Sequence, residues 1–396
     1  MAAVATRKTS RMVNNLLIKH FFIVAITLSV VSIELYAAVL PEDRSDVMYH
    51  RYDGGGVVID GPSLLVRKEV ANTVSISGNY YVDNVSSASI DVETSGASEY
   101  SEKRTEYSLS ADYLYDKVIL SAGYTNSEEN DYSADTFYVS ASQDLFGDLT
   151  TFSLGYSLGN DTVMKNGNDQ FEDEIERHNY RFGLSQIATA NLILTLDYEI
   201  ITEEGYLNNP YRSYRFVDQS NPDSYASETE VYPLTRTSDA VAMGAKYFLP
   251  YRAAVHGNYR YFTDDWDIKA HNITLGYTHP YGDRWVLDLS YRFYQQESAY
   301  FYNDLHQYRS IDEKDFRARD KELSEFSSQS IGIGASYQLN INTLTSIERS
   351  SINFQYDFIK FDYDNFSDIR SGGVAGAEPL YDFDANVFRV YFSVWY

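Results

Sequence analysis

The sequence predicts an all-β fold, a transmembrane up-and-down antiparallel β-barrel of about 14 strands with long extracellular loops and short periplasmic turns. Three observations predict it. Apolar and polar residues alternate with period two over long runs, which puts each set on its own strand face; a helix needs spacings of three and four. Long and short connections between the runs fall on opposite ends, the arrangement of bacterial outer-membrane barrels. The 396 residues include 37 Tyr and 21 Phe, only 8 Pro and no Cys, and carry a formal charge of −25. That aromatic content excludes disorder. The charge excludes nucleic acid as a partner, since binding it needs a basic footprint. The missing Cys removes disulfides, thiolate zinc sites and lipoprotein acylation.

Residues 1–37 form an address. Arg7, Lys8, Arg11 and Lys19 precede the apolar run Phe21–Val31, and Ala37 and Ala38 supply small residues for cleavage. This is the layout of a secretory signal peptide; the apolar run is too short for the roughly 20 residues that span a bilayer. Its removal takes away four basic residues and Glu34, moving the charge from −25 to −28.

Residues 38–69 are expected to be a periplasmic tether or a small plug inside the barrel. Gly54, Gly55 and Gly56 permit a sharp backbone, and His50, Arg51 and Asp53 are available for polar contacts. No Lys-Ser/Thr follows the glycines, so a phosphate-binding loop is excluded.

The barrel is expected over 70–396, with strands at 70–83, 104–115, 117–127, 132–143, 149–160, 176–187 and 190–202. The others fall at 236–248, 252–263, 266–279, 284–297, 326–339, 347–362 and 384–396. In the first, Val74, Ile76, Gly78, Tyr80 and Val82 oppose Ser75, Ser77, Asn79, Tyr81 and Asp83. Leu194, Leu196 and Tyr198 likewise oppose Thr195, Asp197 and Glu199, and Leu287, Leu289 and Tyr291 oppose Asp288, Ser290 and Arg292. The long connections are 84–103, 161–175, 203–235, 298–325 and 363–383, two on the same end near 128–131 and 264–265 are short, and the turns at the other end are tight, as in His279-Pro-Tyr-Gly-Asp283. A propeller needs a blade repeat that is not found here. A soluble barrel would crowd its lumen with Tyr and Trp. Tyr107, Tyr113, Tyr198, Tyr277 and Tyr291 fall on the lipid side, where aromatic girdles form. The last strand ends Phe392-Ser-Val-Trp-Tyr396, which resembles the terminal signal read by the barrel-assembly machinery.

The opposite faces carry the candidate pore lining: Glu106, Asp112, Arg181, Asp197, Glu199, Lys246, His256, Arg260, Asp288, Arg292, Asp357 and Arg389. Charges on the lipid side would cost roughly 2–4 kcal/mol each for Arg or Lys at the midplane. Two readings of these charges stand side by side: a polar conduit with a field across it, and salt bridges that fill a closed interior. The loops are acidic, as in Glu128-Glu-Asn-Asp131 and Glu172-Asp-Glu174, without the spacing of a calcium loop, and are read as solvated acidity near lipopolysaccharide. Residues 311–323 alternate in charge and are expected to form a short surface helix, with folding into the mouth as a constriction as the alternative.

The stretch Pro41–Lys68, with Asp46-Val-Met-Tyr-His50, Tyr52-Asp-Gly-Gly-Gly56 and Gly61-Pro-Ser63, resembles the opening of an uncharacterised bacterial outer-membrane family, a domain of unknown function. Ser121-Ala-Gly-Tyr-Thr125 and Thr151-Phe-Ser-Leu-Gly-Tyr156 extend the resemblance into the barrel. It implies the outer membrane of a Gram-negative bacterium and carries over no residue roles.

Catalysis is not expected. Only His256 is placed in the lumen among the histidines, nothing pairs it with a nucleophile, and no metal or cofactor spacing is present. The function expected is passage of a small polar solute or ion through a charged lumen. The alternatives are a barrel that holds or assembles an exported or periplasmic partner protein, and, behind it, a barrel-embedded hydrolase.

Overall fold

Alternation over ten or more residues is what a barrel strand needs, and here it closes a sheet on itself. The computed structural model describes residues 39–87, 100–312, 314–339 and 347–396. The expected signal segment, 1–37, lies outside the described residues. The strands are β1 (Arg44–Gly54), β2 (Val57–Ala71), β3 (Val74–Ser87), β4 (Tyr100–Tyr115), β5 (Val118–Glu128) and β6 (Tyr132–Leu145). They continue with β7 (Thr150–Met164), β8 (Glu172–Thr189), β9 (Leu192–Gly205), β10 (Ser213–Val217), β11 (Tyr225–Thr229) and β12 (Thr235–Phe248). The last six are β13 (Ala254–Asp264), β14 (Lys269–Tyr281), β15 (Trp285–Gln296), β16 (Phe326–Leu339), β17 (Arg349–Ser367) and β18 (Leu380–Trp395). All but β10 and β11 form one closed antiparallel barrel of 16 strands, and β10–β11 is a hairpin within the β9–β12 connection.

The expected 14 strands are thus two short, and the two missed are β1 and β2. Residues 44–71 are wall, neither plug nor tether. Gly55 and Gly56 have φ of 59° and 78°, the pair of positive values that a two-residue hairpin turn demands. The glycine run joins two strands. Gly54 also lies so close to β18 that an added Cβ would sit 2.3 Å from that of Ala385. The signal was weak because β1 places Met48 and Tyr52 on the same face as Asp46 and His50, which blurs the alternation.

The barrel closes where β1 pairs with β18, Arg44 opposite Trp395. Trp395 lies between the guanidiniums of Arg44 and Arg349, 5.4 and 4.4 Å from the ring centroid. The Tyr396 hydroxyl donates to the Arg67 carbonyl at 3.2 Å. The aromatic C-terminus therefore fastens the seam.

The outward face carries a repeated feature. Each hairpin rising to the long-loop end has an outward Tyr: Tyr49, Tyr80, Tyr124, Tyr156, Tyr198, Tyr259, Tyr291 and Tyr356 on β1, β3, β5, β7, β9, β13, β15 and β17. They face Pro62, Tyr107, Phe137, Tyr180, Val241, Ile273, Ile331 and Phe388. Seven of these hydroxyls bond a polar side chain two residues nearer the loop on the descending strand. The partners are Asp60 at 2.8 Å, Asp135, His178 at 2.8 Å, Asp239 at 2.5 Å, His271 at 2.8 Å, Gln329 at 3.2 Å and Asn386 at 2.8 Å. On the other side of each rising strand the same Tyr faces Leu64, Leu109, Val139, Phe182, Met243, Leu275, Ile333 or Val390, in order for β3, β5, β7, β9, β13, β15, β17 and β1. Each lies two residues beyond the one opposite the previous hairpin's Tyr. One step of two, repeated at every junction, is the stagger that tilts the strands and lets the ring close. Below the ring the outward face is apolar and exposed: Leu120 is 45% accessible, Leu196 43%, Leu289 52% and Ile352 47%.

Candidate functional site

The inward residues beside the Tyr ring form a charged belt. Glu106, Arg181, Asp197, Glu199, Arg260, Arg292, Asp357 and Arg389 each adjoin an outward Tyr or Phe at ring height, on β4, β8, β9, β13, β15, β17 and β18. Asp112, Lys246, His256 and Asp288 lie lower on the same inward face. All twelve sequence-derived wall residues thus oppose the apolar band. Pairing ties some together. The Glu199 carboxylate accepts from Arg181 Nε at 3.0 Å, Arg260 at 2.9 Å and Asn179 at 2.8 Å. Arg389 reaches Asp357 at 3.1 Å. Asp112 accepts from Ser121 at 2.6 Å and Asp288 from Thr278 at 2.6 Å. The His256 ring occupies the space that a side chain at Gly276 would fill, with Cε1 2.0 Å from the place of that Cβ.

The strand order sets β4 across the barrel from β14. Carboxylates dominate the β3–β5 side and cations the β12–β15 side. On the acidic side, His50 Nε2 meets Asp83 at 2.7 Å and its ring stacks on Tyr81, centroids 4.7 Å apart. Arg104 donates to Glu106 at 2.6 Å and lies 3.8 Å from both Asp83 and Glu129. Of the expected N-terminal contact residues, His50 is therefore a buried wall group, whereas Arg51 and Asp53 pair at 3.0 Å on the outer face.

Glu102, Glu129 and Asp131 bring carboxylate oxygens within 4.8 Å of one another. All three, Glu102 on β4 and Glu129 and Asp131 in the β5–β6 connection, are half-buried, not freely solvated. Burial pushes the Glu129 carboxyl up, Arg104 opposes it, and Asp131 and Asp83 add to it.

Over the mouth lies a cap, foreshadowed in the sequence only by the alternative that 311–323 folds into the mouth. Tyr232, Trp266, Ile268, Phe301, Tyr302 and Leu323 form a buried cluster drawn from the connections 206–234, 265–268 and 297–325. Beside it Arg215, with its side chain 2% exposed, holds Glu378 at 2.5 Å and also Asp304. Arg319 joins Asp304 at 3.0 Å and lies 4.3 Å over Phe366. Burial alone would raise the Asp304 carboxyl, but the Arg319 and Arg215 guanidiniums hold it below the usual carboxylate range. Glu378 is held down in the same way, burial opposed by Arg215. At its other end the 206–234 connection reaches the β5–β6 connection, where Tyr211 donates to Asp131. Between that point and Glu378 stand β5, β4, β3, β2, β1 and β18. The cap therefore crosses the mouth as a strap. Its signal was the aromatic density of loops read only for their charge.

The described residues of 311–323 do not form the expected helix; among them Lys321–Leu323 makes a single 3-10 turn. Asp312 and Asp315 side chains accept from the backbone amides of Lys314 and Ile311, which offers the chain an alternative to helical bonding. Arg317 also bridges to Val231.

Residues 92–357, more than half of the chain, match the family described as Protein of unknown function (DUF3570). The chain belongs to that family. The DUF3570 match spans Ser121–Thr125 and Thr151–Tyr156, whereas Pro41–Lys68 lies outside it. No curated protein matches the DUF3570 chain. Among solved structures, OmpT, an outer membrane protein of Vibrio cholerae, is 9% identical with a TM-score of 0.41, covering 92% of this chain and 100% of its own. A FadL homologue of Pseudomonas aeruginosa is 10% identical at 0.41, covering 90% of each. A bacterial polysaccharide outer membrane secretin is 8% identical at 0.46, covering 90% of this chain and 100% of its own. Likeness at that level says nothing of cargo.

Proposed function

We propose that this protein spans the outer membrane of a Gram-negative bacterium and passes a small polar solute or ion, chemically unchanged, through its charged lumen. One observation carries the reading: twelve ionisable residues face inward while the outward face is apolar and bounded by a Tyr ring. Water on that outward face would leave large apolar areas exposed, whereas a bilayer buries them and Tyr suits its boundary. Export through cleavage of 1–37 and insertion by the barrel-assembly machinery complete the proposal, and the strap limits the cargo to small solutes.

The test is a planar-bilayer recording of the folded full-length protein, its folding checked by heat-modifiable gel mobility. Discrete conductance steps are expected, with ion selectivity shifted by Arg260→Glu. Electrical silence of well-folded protein, both with the strap intact and after its ion pairs are removed by Arg215→Ala, would falsify the conduit.

A further inference from the structure

We propose that the β13–β15 stretch of the lumen wall is a binding station for small oxyanions, solutes that carry a carboxylate or phosphate group. The inference deepens the conduit reading and rests on it for calling the anion a cargo. Cations on the wall are mostly neutralised by neighbours: Arg389 by Asp357, Arg104 by Glu106, Arg236 by Asp264 at 2.6 Å. Three inward cations are exceptions among the described residues, Arg67 on β2, Lys246 on β12 and Arg292 on β15, and of these Arg292 stands at ring height. Arg292 makes no ion pair among the described residues; its Nε donates to Asn272 Oδ1 at 2.9 Å and its guanidinium stands 5.4 Å over Tyr294.

The register brings a second guanidinium alongside. Asn272 is the β14 partner of both Arg260 on β13 and Tyr294 on β15. Arg260 and Arg292 therefore flank one amide at ring height. Arg260 and Arg181 share the single Glu199 carboxylate, and Asp197 adds one further acid nearby. Arg292 remains uncompensated. Below it on β12, Lys246 also lacks a carboxylate partner among the described residues. Asp288, four residues before Arg292, is engaged by Thr278.

Arg292 itself stands between small inward neighbours, Thr274 on β14 and Ser330 on β16; farther down, the His256 ring and the Asp357 and Asp288 side chains fill the space over Gly276, Gly332 and Gly334. A long cationic side chain standing among small ones presents its N–H groups to the lumen. A guanidinium is a planar fork matched to carboxylate and phosphate. Facing the acidic β3–β5 wall, it sits where low-dielectric walls focus the field on a passing anion.

Calorimetric titration of the folded full-length protein in micelles with inorganic phosphate, and separately with citrate, tests the station. Saturable binding of either anion is expected, at least tenfold weaker in Arg292→Gln and intermediate in Arg292→Lys, which keeps the charge without the fork, with gel mobility unchanged in both. Binding of phosphate alone or of citrate alone supports the station and names the group it takes. Absence of saturable binding, or equal affinity in Arg292→Gln, overturns it. Conductance without Arg292-dependent binding would sink the station and leave the conduit; Arg292-dependent binding without conductance would do the reverse.

Discussion

At the scale of single residues, contacts of the same apparent rank differ widely in cost. Removing one hydroxyl from the Tyr ring, as in Tyr156→Phe, deletes the bond to His178 at 2.8 Å and should destabilise the barrel by about 0.5–1.5 kcal/mol, the net worth of one such bond. Gly61 is less forgiving. A Cβ there would stand 1.8 Å from the Val82 carbonyl oxygen, a backbone atom that has no rotamer to escape into. Gly61→Ala should therefore cost more than Tyr156→Phe, about 1–3 kcal/mol. Urea unfolding in bilayers ranks the two, and the reverse order would mean that the β2–β3 backbone yields easily at this point.

Among elements, the strap is the one whose stability is electrostatic. Arg215→Ala leaves Glu378, 3% exposed, and Asp304 without their shared cation; breaking a buried pair from one side costs about 3–5 kcal/mol. The expected result is rapid proteolysis within 297–325 and larger unitary conductance, with the barrel intact on gels. An unchanged cleavage pattern would show that the apolar cluster alone holds the strap. Acid acts on the same element. Burial pushes the His306 imidazole down, against the Ala318 carbonyl and with help from Arg317. Folded His306 thus stays neutral where an unfolded imidazole takes a proton, so strap stability declines as the pH drops below about 6.5. The depressed Asp304 and Glu378 carboxyls stabilise fully above the unfolded carboxylate range and lose that contribution as pH falls through their folded values. Amide exchange in 297–325, corrected for intrinsic rate, should be faster at pH 5.5 than at pH 7.5 (about one unit either side of the imidazole reference), and His306→Gln should flatten the difference.

For the whole molecule, the two faces of one wall differ in polarity, as the proposed function requires. Adjacent residues on β14 test this directly. Leu275→Arg sets a charge on the apolar band and should cost roughly 2–4 kcal/mol in a bilayer, whereas Thr274→Arg, one residue away and facing the lumen, should cost far less. Equal penalties would overturn the assignment of inside and outside.

Most of this architecture was legible because its strands alternate with strict period two. Leu275, Tyr277, Leu287 and Leu289 declare their face from sequence alone, and all twelve inward ionisable residues followed from the same rule. β1 and β2 were not legible, since mixed faces and a Gly-Gly turn look like an irregular segment until a partner strand is present. The strap was hidden for a different reason. Arg215, Asp304 and Glu378 lie in three separate connections, and only three-dimensional contact turns those charges from solvated loop residues into a buried network. The sequence by itself determined the class of wall and the sign of each face, because alternation is local. Tertiary structure decided closure, the strap and which cations stand unpaired, because each depends on strands far apart in the chain arriving at the same height.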